Sequence, residues 1–250
     1  MRIYPAPEAQ EIQAYSFNSL EAACKAVHEI QKKGIPIESA YIMTGIYLSF
    51  TYPDIKAPAA IAPIVITGTN EEVALYGKKV REVCLREGQE IVDPKILDKV
   101  KDGWKYNFAG RYRAPPPLVL LPVPLCSCIP TLDVPKIYDA FMKFCKEELA
   151  KTKTLILSQA FACQNNMVFT PLIMYDERDP ETWKRVRETI PKIINSLAEL
   201  GFTPHYTGRL KGPPELMWRL GAYYDLLRKL KKAIDPNNIL NPGYLTMPEF

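Results

Sequence analysis

The sequence contains little histidine and lacks the short motifs by which many catalytic sites are recognised. Only two histidines, His28 and His205, occur among its 250 residues. No G-x-G-x-x-G, G-x-x-x-x-G-K-[ST], G-x-S-x-G or H-E-x-x-H is present. The chain therefore has no recognisable nucleotide-phosphate cradle, nucleophile elbow or zinc-protease site.

Clustered cysteines are also missing. The six cysteines are scattered, and the only close pair is Cys126 and Cys128. Zinc and iron–sulfur sites need paired ligands at a repeated spacing. The pattern instead favours buried thiols in a reducing compartment, and no metal site is predicted.

A membrane span and a nucleic-acid surface are not indicated either. The longest nearly apolar stretch, APAAIAPIVITGT (57–69), contains two internal prolines and is too short to cross a bilayer. The N-terminal stretch MRIYPAPEAQEIQAY resembles no signal peptide. The formal charge is only +4, with basic and acidic residues interspersed, which is typical of solvated helix faces. We therefore expect a cytoplasmic protein without a transmembrane segment or a nucleic-acid partner.

Alternating strand and helix patterns fill the first half of the chain. Hydrophobic residues make up 47% of the composition and charged residues 24%, as in ordinary globular proteins. EIQAYSF predicts a strand, and Asn18-Ser19 caps the helical pattern LEAACKAVHEIQKKG. Two further strand patterns follow, and Asn70 is expected to cap a second amphipathic helix that ends at Gly88. The order is β-α-β-β-α.

The same order returns in the second half. LVLLPVPL predicts a strand, Asp133 caps a helix, TLILSQAFAC and NMVFTPLIMYD predict strands, and Asp179-Pro180 opens a long helix. We therefore predict an α+β fold with a duplicated ferredoxin-like arrangement (β-α-β-β-α twice), in which helices cover one face of an antiparallel sheet. The chain is expected to be one domain over residues 1–250. Its predicted parts are repeat one (about 10–92), a linker (about 93–117), repeat two (about 118–210) and a C-terminal helix and tail (213–250).

The C-terminal segment predicts a helix followed by a rigid tail. Apolar residues recur on one helix face from Pro213 onward, at Leu216, Leu220, Tyr223, Leu227, Leu230 and Ile234. Asp235-Pro236 ends the helix, because the residue before a proline disfavours helical geometry. The asparagines and Pro242-Gly243 then favour tight turns, so the tail is expected to keep a fixed shape when it docks on a surface.

One polar cluster is a candidate site. His205, Tyr206 and Arg209 lie together in FTPHYTGRLKGP, and Lys211 is close by. A tyrosine hydroxyl and a guanidinium can both donate hydrogen bonds to an anionic or phenolic oxygen. Judged on local sequence alone, a surface loop without a function is the slightly better explanation of the stretch.

The tail LKKAIDPNNILNPGYL resembles the C-terminal signature of flavin-linked oxidases of the vanillyl-alcohol oxidase and p-cresol methylhydroxylase superfamily. IMYDERDPETWKRVRETIPKIINSLAELGFTPHYTG and EIQAYSFNSLEAACKAVHEIQKKGI are similar to segments of that family's cap, or substrate, domain. The resemblance extends over nearly the whole chain, and it does not include the family's FAD-binding domain.

This resemblance implies a substrate-binding (cap) subunit of a split FAD-dependent oxidoreductase that is inactive alone. FAD would be held mainly by a separately encoded FAD-binding subunit, with a small organic substrate and an electron-transfer subunit as further partners. Hydride would pass to flavin N5 from an aromatic alcohol or alkylphenol, or from a 2-hydroxy acid. The alternative is a non-catalytic assembly or scaffold subunit of a larger redox complex.

The resemblance also implies site residues. Tyr206 occupies the place of a phenol-binding tyrosine, the adjacent arginine of the family is absent, and Arg209 is the expected substitute beside His205. The tail is expected to contact the cofactor through Asn238, Asn241, Pro242 and Gly243. APPPLVLLPVPLC has neither histidine nor tyrosine where some relatives attach FAD, so non-covalent FAD is expected.

Overall fold

The chain forms an antiparallel sheet with helices packed against it. The computed structural model describes residues 6–44, 58–94, 97–98, 117–122, 127–201 and 221–240. The strands are β1 (Ala9–Phe17), β2 (Ser39–Thr44), β3 (Ala60–Gly68), β4 (Gly88–Glu90), β5 (Leu118–Pro122), β6 (Ser127–Ile129), β7 (Leu155–Ala162) and β8 (Met167–Asp176). The α-helices are α1 (Leu20–Lys32), α2 (Asn70–Cys84), α3 (Val134–Glu148), α4 (Pro180–Glu199) and α5 (Ala222–Ile234).

All eight strands belong to one sheet. The strand order is β4-β1-β3-β2-β7-β8-β5, and β6 also pairs with β8. Every pairing is antiparallel. The two halves of the chain meet where β2 pairs with β7, and there Tyr41 lies opposite Phe161. The predicted α+β fold with an antiparallel sheet and helices is confirmed.

Side-chain caps mark the beginnings of α1, α2 and α4. Asp133 precedes α3 as predicted, but its side chain makes no capping hydrogen bond. The Ser19 hydroxyl accepts a hydrogen bond from the Ala22 amide at 3.0 Å, as predicted. For α2 the cap is Thr69 and not Asn70: Thr69 and Glu72 form a reciprocal capping box, and Asn70 is already helical. Asp179 accepts from the amides of the first turn of α4, as predicted from the Asp-Pro pair.

Three elements differ from the predictions: the C-terminal helix and two short strands. The predicted helix from Pro213 to Ile234 does not run through Gly221, which has φ 52° and ψ −130°; α5 begins at Ala222. Residues 213–220 lie outside the described ranges. The three-residue strands β4 and β6 were not predicted, because such short segments carry no detectable alternation.

Both faces of the sheet are buried. The core between helices and sheet takes alternate residues of each central strand, such as Tyr15 and Phe17 from β1 and Phe169 and Ile173 from β8. A second set of strand residues is buried but does not belong to that core: Ala14, Tyr41, Met43, Ile61, Val65, Leu172 and Met174. The sheet therefore has an apolar layer on the face away from the helices.

Candidate functional site

The predicted catalytic residues His205, Tyr206 and Arg209 lie in residues 202–220, outside the described ranges. Asn241, Pro242 and Gly243, predicted to contact the cofactor, also lie outside them. Asn238 is the one predicted site residue that the structure describes, and it is half-buried. The roles of all seven stay predictions. The described residues that lie next to them in the chain form helix α5 and the turn after it.

Helix α5 leaves most of its apolar face exposed. Tyr224 is its only buried residue, and Arg228 lies 5.9 Å from the centre of that ring. The side chains of Tyr223, Leu226, Leu230 and Ile234 are exposed. Beyond the helix, Ile239 and Leu240 are also exposed, at 72% and 59%. We call these six exposed residues the apolar stripe: Tyr223, Leu226, Leu230, Ile234, Ile239 and Leu240.

The turn after α5 is organised around the buried carboxylate of Asp235. Its two oxygens accept hydrogen bonds from the backbone amides of Ile239 and Leu240, both at 2.9 Å. The Lys231 ammonium donates to the same carboxylate and to the Leu240 carbonyl. Asn238 adopts φ 51°, and its amide donates to the Asp235 carbonyl at 3.1 Å. One carboxylate therefore fixes the direction in which the tail leaves the helix.

The charge of Asp235 is balanced inside this turn. The hydrogen bond from Lys231, followed by those from the Ile239 and Leu240 amides, lowers the pKa of the carboxyl below its ordinary value. Asp235 is therefore ionised at neutral pH and does not serve as a proton donor there. Sequence reasoning gave this residue only the role of ending the helix; the lysine one helical turn before the Asp-Pro pair was the available signal.

A second polar cluster joins β1, β4 and α2. The Tyr15 hydroxyl donates to Gln13 Oε1 at 2.5 Å, and Gln13 Nε2 donates to Glu11 and to the Gly77 carbonyl at 2.9 and 3.1 Å. Arg81 forms a bidentate pair with Glu90, with both shortest contacts at 3.0 Å.

This cluster ties α2 to the edge of the sheet. Burial is the main cause of the raised pKa of Tyr15, so its hydroxyl keeps its proton. A Cβ at Gly77 would lie 2.3 Å from Glu11 Oε2, so a larger residue there would displace the Glu11 carboxylate from its present position. The hydrogen bonds of the cluster join β1, β4 and α2, and Glu11, Gln13 and Glu90 also line an open cavity of about 610 Å³ beside β1.

The described residues contain neither a candidate metal site nor a candidate membrane span. No three histidine, cysteine, aspartate or glutamate side chains of the described residues lie close enough together to hold a metal ion. No helix within those residues is both long and apolar enough to cross a bilayer. Of the described cysteines, Cys128 and Cys163 are exposed, contrary to the expectation that the cysteines are buried.

The second half of the chain matches a known protein family. Residues 124–245 match the family described as FAD linked oxidases, C-terminal domain. The resemblance predicted from the tail is thereby confirmed: this part of the chain is similar to the C-terminal domain of FAD-linked oxidases.

Curated relatives match over a longer part of the chain. The chain is 25% identical to the glycolate oxidase subunit GlcD of Bacillus subtilis (strain 168), over 97% of this chain and 52% of the relative. It is 24% identical to the corresponding subunit of Escherichia coli (strain K12), over 97% and 49%. The chain thus spans about half the length of the curated relatives it matches.

Solved structures share the fold. The 4-ethylphenol oxidase from Gulosibacter chungangensis superposes with a TM-score of 0.79 at 14% identity, over 97% of this chain and 55% of that one. A p-cresol methylhydroxylase with bound substrate superposes with a TM-score of 0.74 at 16% identity, over 97% and 54%. At these identities the likeness concerns the fold alone.

Proposed function

We propose that this chain is the substrate-binding (cap) part of a FAD-dependent oxidoreductase and is inactive alone. FAD is held non-covalently and mainly by a separately encoded FAD-binding subunit. The observation that carries the proposal is that almost the whole chain matches about half the length of two glycolate oxidase subunits. The exposed apolar stripe supports it. An exposed apolar surface of this kind is typical of a face that a partner covers.

The residues present fit a chain that contacts a flavin without retaining it. The sequence has no phosphate-binding loop. In the described part of the tail, Asp235 is the only carboxylate, and its charge is paired with Lys231, so the turn does not repel an anionic cofactor. The half-buried Asn238 supplies an amide, and Asn241, Pro242 and Gly243 continue the proposed contact surface.

The proposed reaction is oxidation of a small organic substrate. The chemistry that FAD supplies when bound is acceptance of a hydride at N5. The part of this chain is to bind and orient the substrate through His205, Tyr206 and Arg209. A tyrosine hydroxyl and a guanidinium suit the phenolic oxygen of an aromatic alcohol or alkylphenol, and equally the carboxylate of a 2-hydroxy acid.

The arrangement of the chain is part of the proposal. The order β4-β1-β3-β2 in the first half and the β7-β8-β5 neighbours in the second are those expected of two ferredoxin-like repeats. Three further points remain predictions. They are the division of the chain into two repeats, a linker and a tail; an electron-transfer subunit as a further partner; and the cytoplasmic location.

The first test is purification from the native source under mild conditions, with a visible spectrum and identification of what co-purifies. A stoichiometric second chain with flavin absorbance that acid precipitation releases is the expected result. Flavin on the same chain, within a longer polypeptide, would contradict the separate subunit but not the cap function. A colourless complex without a flavoprotein would favour the scaffold alternative.

The role of the apolar stripe can be tested with a matched pair of variants. Leu226→Glu places a charge on the stripe, whereas Leu75→Glu places one on α2; the two leucines are similarly exposed, at 52% and 50%. We expect Leu226→Glu to lose the flavoprotein partner in co-purification and Leu75→Glu to keep it. Equal retention by both variants would remove the stripe from the interface.

The catalytic assignment needs the assembled enzyme. His205→Ala, Tyr206→Ala and Arg209→Ala are expected to lower turnover while partner binding and the flavin spectrum stay unchanged. His28→Ala is the matched control, since His28 lies half-buried on α1. Normal turnover in all three variants would show the site assignment to be wrong.

A further inference from the structure

The charges on α5 are mostly of one sign, unlike those on the other described helices. Helix α5 has one acidic residue, Asp225, and four basic ones, Arg228, Lys229, Lys231 and Lys232. In α1, α2 and α3 the acidic residues equal the lysines and arginines in number, and α4 has one basic residue in excess. Positive charge is therefore concentrated on the helix that carries the apolar stripe.

Two of the four cations of α5 already have a partner within the chain. The Lys231 ammonium is bonded to the Asp235 carboxylate, and its side chain is only 19% exposed. The Arg228 guanidinium lies over an aromatic ring of the same helix. Lys229 and Lys232 are exposed, and within the described part of the chain neither forms an ion pair.

Helix α1 shows what the chain does with a comparable pair of residues. Glu21 and Lys25 are four residues apart and form an ion pair at 2.9 Å. Asp225 and Lys229 have the same order and spacing on α5, yet no ion pair joins them among the described residues. The Lys229 ammonium is therefore available to a carboxylate on another molecule.

The two available lysines lie at different distances from the apolar stripe. Residues three or four apart are neighbours on a helix surface. Lys229 follows Leu226 of the stripe by three residues, and Lys232 follows Lys229 by three more, so the row leads from the stripe round the helix. Lys231, on the other side of the stripe, is neutralised by Asp235. One flank of the stripe is thus basic and the other is neutral.

We propose that the FAD-binding subunit covers the apolar stripe and carries carboxylates at the edge that meets Lys229 and Lys232. This inference rests on the proposed function. The chain spans about half the length of its curated relatives, and the remaining half is the part proposed to be separately encoded. Protein interfaces commonly have an apolar centre and a polar rim, and charges at the rim raise the rate of association.

An anionic lipid surface is the other kind of partner that suits a basic amphipathic helix. The turn after α5 favours a protein. Ile239 and Leu240 extend the stripe beyond the helix, and hydrogen bonds of 2.9 Å from their amides to Asp235 fix their backbone. A stripe that continues into a fixed turn has a defined shape, which a protein surface can match and a fluid bilayer does not require.

The test measures association of the full chain with the full flavoprotein chain that co-purifies with it, at low and at physiological salt. Lys229→Glu should lower the association rate constant roughly tenfold at low salt. Lys232→Glu should lower it less, because Lys232 lies farther from the stripe. Lys229→Gln, which removes the charge without reversing it, should give an intermediate rate. All three losses should shrink as salt rises, because salt screens exposed charges.

The matched controls are Lys143→Glu and Lys146→Glu on α3. These lysines are also exposed and three residues apart, so the variants change the net charge equally at a different place. They should leave the association rate constant unchanged, and thermal unfolding should show that every variant is folded.

The outcomes separate this inference from the proposed function. Equal association rate constants for Lys229→Glu and Lys143→Glu, or faster association of Lys229→Glu, would overturn the acidic edge and leave the flavoprotein partner in place. The lack of any flavoprotein partner would overturn both. Vesicles of phosphatidylcholine and phosphatidylserine that bind the unaltered chain but not Lys229→Glu would assign the basic flank to a lipid surface, and so would also overturn the inference.

Discussion

Helices α4 and α5 carry the same kind of amphipathic pattern but end in different environments. In α4 the apolar face is buried against the sheet, as at Val186 and Ile193, both fully shielded from solvent. In α5 only Tyr224 is buried, and Leu226 and Leu230 remain about half exposed. The pattern in a sequence predicts that a face will be buried, but not which molecule buries it.

The difference has an energetic meaning. Burial of one leucine side chain contributes roughly 1.5–3 kcal/mol. Helix α4 gains this contribution within the chain, whereas α5 can gain it only from another surface. The turn at Asp235, which fixes the direction of the tail, gives that surface a defined shape to meet. We therefore expect changes in α4 to alter folding and changes in α5 to alter assembly.

The largest expected effect tests this division directly. Ile193→Ala in α4 should lower the free energy of unfolding by about 2–5 kcal/mol, because it leaves a cavity in the core. Leu230→Ala in α5 should change it by less than about 0.5 kcal/mol, since the side chain is already half exposed. Denaturant unfolding of the isolated chain measures both. Equal losses would mean that α5 packs on the chain itself.

A smaller effect concerns the residues that follow the two helices. Gly201 after α4 has φ 85° and Asn238 after α5 has φ 51°, both in the left-handed region. An added Cβ at Gly201 meets no atom within 4 Å, so Gly201→Ala should cost only the backbone strain, about 1 kcal/mol.

The matched change is Asn238→Gly. Glycine adopts this backbone at no steric cost, so the free energy of unfolding should change by only a few tenths of a kcal/mol. Thermal unfolding compared between the two variants measures the difference. A destabilisation by Asn238→Gly as large as that of Gly201→Ala would show that the Asn238 side chain stabilises the turn. The residue would then matter for more than its left-handed backbone conformation.

Local patterns were enough to predict much of the fold. The strand alternation of β1 and the cap at Ser19 were predicted because they depend on neighbours within a few residues. The capping box at Thr69 was missed because Asn70 is also a good cap residue, and only geometry separates the two. The Gln13 cluster could not be predicted, since it joins residues 64 positions apart.

The candidate site was less predictable for a related reason. Asp235 reads in the sequence as the residue that ends a helix, and its hydrogen bonds to two amides and a lysine depend on how the chain folds back after it. Spacing along the chain does not contain that fact.

The smallest expected effect is a local response of the tail to acid, since few contacts tie α5 to the sheet. The hydrogen bond from Lys231 lowers the pKa of Asp235, so the stabilisation of the turn is complete above the ordinary aspartate pKa of about 3.9 and is lost as pH falls through the lower folded value. Hydrogen exchange at the Ile239 and Leu240 amides, corrected for the intrinsic rate, should show a loss of protection over that range.

The variant Asp235→Asn should lose part of the same protection at neutral pH. The Leu200 amide, which donates to a backbone carbonyl, is the control that should not respond. Unchanged protection of Ile239 and Leu240 in both experiments would mean that the ionised carboxylate does not hold the tail, and that the direction of the tail comes from the backbone alone.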